Sequence, residues 1–100
     1  MIKEVFELLM QVHEDMEIAC VGLMDGSSVK KEILEFGNGS RVTDISVTLD
    51  STDVGYAVFK KDIVTSSIYN GEVQGRSEHE TKVAVPYENI SYVEFAPREE

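Results

Sequence analysis

The chain has one cysteine, two prolines and no tryptophan, and none of its apolar runs approaches the length of a membrane span. Each scarcity removes a class. Cys20 has no second cysteine to form an internal disulfide or a thiolate-rich zinc site. Basic residues are also few: nine Lys and Arg face nineteen Asp and Glu, for a formal charge of −10. A surface of that sign repels a nucleic-acid backbone unless a local basic patch interrupts it. The opening Met1-Ile2-Lys3-Glu4 lacks the basic start and unbroken apolar run of a signal peptide, so the expected location is cytoplasmic, without membrane contact.

One hundred residues, of which 42% are hydrophobic and 28% charged, suit a single globular domain over 1–100 that buries its own core. The acidic excess is spread, at −4 over residues 1–20, −2 over 21–50, −1 over 51–75 and −3 over 76–100. Spread charge reads first as a solvating surface. Its sharper reading is a surface that attracts a basic partner or imitates a polyanion.

Ile2, Val5, Phe6, Leu9 and Val12 recur at helical spacing, which predicts an amphipathic helix over 2–13 that stops near Glu14-Asp15. A helix this short must dock on something. Residues 17–24 predict a strand with Ile18, Cys20 and Gly22 on one face and Ala19, Val21 and Leu23 on the other. Asp25-Gly26-Ser27 turns the chain into a second strand over 28–36, and Gly37-Asn38-Gly39-Ser40 ends that strand. Alternation predicts a half-exposed strand over 42–49, and shorter strands follow over 54–59 and 63–69. Asn70-Gly71 is the strongest hairpin signal. Residues 75–81 read as polar and flexible, and 82–86 and 90–95 as closing strands around a tight turn at Tyr87-Glu88-Asn89.

Leu23-Met24-Asp25-Gly26 followed by Val29, Ile33 and Phe36, together with Val85-Pro86-Tyr87-Glu88-Asn89-Ile90 and Val93, resembles the two motifs of the Sm and Sm-like (Lsm, Hfq-type) barrels. The resemblance covers about a third of the chain. It implies a mainly β (α+β) fold: an N-terminal helix, then a small, strongly bent antiparallel Sm-like or SH3-like barrel over 17–95. An extra hairpin over 54–81 is expected between the third and last strands, longer than that family's usual connection. The resemblance also implies association of copies through strand edges, and RNA contact at the positions matched by Asn38, Tyr87 and Asn89. Glu88-Asn89 stands where the family carries Lys-His, which turns the expectation away from RNA.

Candidate chemistry is sparse. His13 has Glu17, not a second histidine, four residues on, so the helical zinc pattern fails. Glu78-His79-Glu80 reads as a solvated loop, and Cys20 as a buried structural thiol. No phosphate loop or nucleophile elbow is present. Tyr56, Phe59, Tyr69, Tyr87, Tyr92 and Phe95 read as packing residues of half-buried strands. Phe59-Lys60-Lys61 is the nearest approach to a basic-aromatic patch, which adds Lys60 and Lys61 to the candidate ligand or RNA contacts. The expectation is a non-enzymatic protein without metal or cofactor, acting as an oligomeric binding or assembly module. Two alternatives stand beside it: an acidic inhibitor or nucleic-acid mimic seated in a basic groove of a partner protein, and an RNA-binding Sm-like protein.

Overall fold

The computed structural model describes residues 1–36 and 41–98. Helix α1, Lys3–Val12, lies one residue inside each predicted end. Phe6 anchors it, fully buried, while Val5, Leu8 and Val12 on its outer side stay exposed. His13 terminates it: the backbone N–H and the ring Nδ1 of His13 both reach the Leu9 carbonyl, at 3.1 and 2.8 Å. The imidazole also stacks on Phe95 at 4.4 Å, which ties the helix end to the last strand.

Seven strands follow among the described residues, all antiparallel, in two sheets. The first sheet centres on β1, Met16–Leu23, between β2, Ser28–Lys30, and β7, Ile90–Pro97. The second runs β3, Glu32–Phe36; β4, Arg41–Thr52; β5, Tyr56–Tyr69; and β6, Glu72–Pro86. A single 3-10 turn, Tyr87–Asn89, joins β6 to β7. The first hairpin and the last strand therefore meet on β1, whose Val21 pairs with Val29 on one side and Val93 on the other.

Three expectations need correction. No closed barrel forms among the described residues. Lys31 interrupts the predicted second strand and leaves β2 in one sheet and β3 in the other, although its N–H still bonds the Ala19 carbonyl at 2.9 Å. Beyond the 3-10 turn β7 departs to β1, and β6 remains the edge of its sheet. The hairpin expected over 54–81 extends over 56–86 and is continuous with β4. The predicted strands over 54–59 and 63–69 are one continuous β5, and the supposedly flexible 75–81 lies inside β6, because every residue from Tyr56 to Ser67 finds a cross-strand partner between Pro86 and Gly75. Finally, Ile18 sits on the core side with Val21, since a bulge between Ile18 and Cys20 shifts the alternation of β1 by one residue.

The core forms where α1 lies across the inner ends of both sheets. Phe6 meets Phe59 edge-on at 6.0 Å and Tyr87 at 5.6 Å, and Val21, Ala57 and Ile90 close the same cluster. Burial of each large side chain here contributes roughly 1.5–3 kcal/mol. The Tyr87 hydroxyl donates to the Asp53 carbonyl at 3.1 Å, so its polar end is satisfied within the core. The turn residues have the required backbone: Asn70 and Gly71 at φ 51° and 78°, and Gly26 at φ 90°. No helix among the described residues is long and apolar enough to cross a membrane.

Candidate functional site

Strands β4, β5 and β6 run outward from the core as one ladder, with β5 and β6 paired from Tyr56 opposite Pro86 to Tyr69 opposite Glu72. The longest dimension of the molecule is 49 Å, and its radius of gyration is 15.6 Å. A compact chain of this length has about 13 Å. Of the fifteen residues of β6 only Val85 is buried, and its outer side has no strand beside it among the described residues. This long free edge is the most prominent feature that the fold leaves open.

The charges on the ladder are mixed. Residues 41–82 hold five of the nine basic residues and seven of the nineteen acids, so they carry −2 of the −10. On the face away from the core, Lys60 stands directly opposite Lys82, and Asp62 opposite Glu80. Attraction therefore runs diagonally, from Lys60 to Glu80 at 3.9 Å and along β5 from Lys60 to Asp62 at 3.7 Å. Lys82 reaches Asp50 at 3.4 Å, and Arg76 pairs with Glu78 two residues along its own strand. Such half-exposed pairs add little stability. They do leave the edge almost neutral beside a strongly acidic remainder.

The described residues among those proposed from sequence for ligand contact are not gathered on one surface. Asn38 lies outside the described residues. Tyr87 is buried against Phe6, with no ring face left for stacking a base. Asn89 is half-buried in the 3-10 turn, where its carbonyl accepts the Met24 N–H at 2.9 Å. Lys60 and Lys61 point to opposite faces of β5, and Phe59 beside them is fully buried, so the basic-aromatic patch does not exist as a surface. Strand alternation also separates Glu78 and Glu80 from His79, which faces the same side as Ile63.

Elsewhere the polar groups already serve one another. A cavity of about 310 Å³ lies between the end of α1, β1 and β4. Its Lys31 is paired to Glu17 at 2.6 Å, and its Arg98 donates to the Glu14 carbonyl at 2.9 Å. Cys20 Sγ lies 3.9 Å from the Tyr92 hydroxyl, a contact that raises the Tyr92 phenol above its ordinary pKa. Ser27 hydrogen-bonds the Asp25 carboxylate through both its hydroxyl and its backbone N–H, and these bonds lower the pKa of that acid. Among the described residues no group of three or more His, Cys, Asp and Glu is placed to hold a metal ion.

The edge itself was the feature that reading for polarity missed. Its signal was the alternation of Arg76, Glu78, Glu80 and Lys82 with Ser77, His79 and Thr81, a strand pattern with polar residues on both faces. Comparison with protein-family models, with curated proteins and with solved structures found no match for this chain.

Proposed function

We propose that this chain is a non-catalytic, Sm-like module that joins copies of itself through strand edges and serves as a platform for binding or assembly. The observation that carries this reading is β6, fifteen residues long, exposed at the edge of its sheet and close to neutral in charge. An edge of that length left open invites another strand, and pairing with a second copy satisfies its outward backbone groups. The order of helix, Asp-Gly hairpin, 3-10 turn and last strand returning to β1 supports the Sm-like assignment. Light scattering on the purified chain over a range of concentrations tests the reading. A mass of two or more subunits is expected, and a strict monomer at high concentration rejects it.

A second reading has its own support. With −2 on residues 41–82, the helix, the first sheet, β3 and the ends carry the remaining −8, and α1 exposes Val5, Leu8 and Val12 beside Glu4 and Glu7. An acidic rim around an apolar stripe suits a basic groove of a partner protein. Association with such a partner that weakens steeply as salt rises favours this reading, and salt-insensitive association rejects it.

A further inference from the structure

Resting on the reading above that copies join through strand edges, we propose that β6 pairs with β6 of a second copy, antiparallel, about a two-fold axis at Thr81. The available stretch of edge is bounded. At its outer end the register with β5 slips between Ser67 and Ile68, leaving Gln74 as an unpaired bulge. At its inner end Pro86 has no N–H to give. An uninterrupted ladder can run only between them.

The charges then select the axis. A two-fold perpendicular to the sheet keeps every residue on its own face, so it passes midway between the two copies of one residue and sets that residue opposite itself. Centring it on Arg76, Glu78 or Glu80 places two like charges in direct opposition. Centring it on His79 sets Arg76 against Lys82 and Glu78 against Glu80. Like charges in direct opposition are destabilising. Lys82 fails in the same way, so between Gly75 and Val85 the remaining centres are Gly75, Ser77, Thr81, Val83, Ala84 and Val85; about Gly75 the pairing meets the bulge at once, and about Val83, Ala84 or Val85 it meets Pro86 within three residues. About Ser77 the pairing meets the Gln74 bulge within three residues. About Thr81 it runs without a break from Arg76 opposite Pro86, with Glu80 opposite Lys82 twice and Thr81 opposite Thr81. Opposite charges and threonine pairs are favourable cross-strand partners.

The surface agrees with a second copy as occupant. The chain exposes 6665 Å², whereas a compact protein of 11.2 kDa exposes about 5,700 Å². The excess, roughly 1,000 Å², is close to the roughly 800 Å² that one partner buries in an ordinary interface. With only −2 of the −10 on residues 41–82, two ladders meet with little of the repulsion that the acidic remainder would impose. The result is one eight-stranded sheet, β3-β4-β5-β6 continued by its symmetric copy.

The test is disulfide trapping in a Cys20→Ala background, where the introduced thiol is the only one. Directly opposed residues of an antiparallel pair have Cα atoms about 4.5–5.5 Å apart, within disulfide range. Thr81→Cys is expected to give a covalent dimer under mild oxidation. Ser77→Cys, whose two copies would lie eight positions or about 27 Å apart, is expected to give none. In parallel, Glu80→Lys and Lys82→Glu should each raise the dissociation constant at least about tenfold, because both symmetric pairs turn repulsive, while the double exchange restores it. Circular dichroism on each variant confirms that the chain is folded. A wild-type monomer by light scattering overturns both this inference and the reading beneath it. A wild-type oligomer in which Ser77→Cys is trapped in place of Thr81→Cys, or neither is, overturns the inference alone.

Discussion

The ring of Tyr92 occupies the space that a side chain on Gly22 would need: a Cβ at Gly22 would overlap the ring carbons Cε1, Cζ and Cδ1. The two residues are direct cross-strand partners on β1 and β7, on the face of the first sheet turned away from the core. Glycine inside a strand is normally a weakness, and the aromatic partner offsets it by covering the bare backbone. This pair thus helps hold the last strand to the first.

A double-mutant cycle tests the relationship. In a Tyr92→Ala background, Gly22→Ala should stabilise the protein by about 0.5–1 kcal/mol, because alanine loses less backbone freedom on folding. In the wild-type background the same change displaces the ring, and the gain should vanish or reverse. Urea unfolding of the four proteins gives the coupling, and additive effects would show that the ring is not held by the glycine.

Phe59 and Tyr87 report the core. Phe59→Ala should cost about 3–5 kcal/mol, since the ring is fully buried and removes the edge-on partner of Phe6. Tyr87→Phe deletes only the hydroxyl that donates to the Asp53 carbonyl, and should cost about 1 kcal/mol. Chemical denaturation measures both. A loss for Phe59→Ala no larger than that for Tyr87→Phe would mean that the helix is not anchored on β5.

The Asp25 turn gives a pH dependence of fixed sign. Hydrogen bonds from Ser27 lower the pKa of Asp25 in the folded chain, so the stability they confer is present above the unfolded value, about 3.9, and is lost as pH falls through the folded one. The melting-temperature difference between wild type and Asp25→Ala should be full at neutral pH and shrink below about pH 3.9. A difference that grows on acidification would contradict the hydrogen-bonded turn.

Nucleic-acid binding should be absent at moderate salt. Lys60 is engaged by Asp62 and Glu80, Lys61 faces the other side of β5, and Tyr87 is buried. Labelled single-stranded RNA passed through a filter with the protein is expected not to be retained. Retention that is lost in Lys60→Ala together with Lys61→Ala would restore an RNA role.

Much of the local structure was legible. Helix α1 follows from the spacing of Phe6 and Leu9, and the turns at Gly26 and at Asn70-Gly71 from residues that accept positive φ. The extent of β6 was not, because polar residues on both faces of a strand look like loop until their partners on β5 are known. The candidate contacts failed to converge for a similar reason. Sequence proximity placed Lys60 beside Lys61, while the pleat turned them apart.

The sequence by itself determined the N-terminal helix, the tight turns and a strongly acidic chain without paired cysteines, since these depend on composition and on neighbours a few residues away. Only the tertiary structure decided that Lys31 divides a predicted strand between two sheets and that a bulge turns Ile18 inward. It also decided that β6 ends as a bare edge and not as the seam of a barrel. Those outcomes depend on hydrogen bonds between residues far apart in the chain, where a shift of one position moves a side chain to the opposite face.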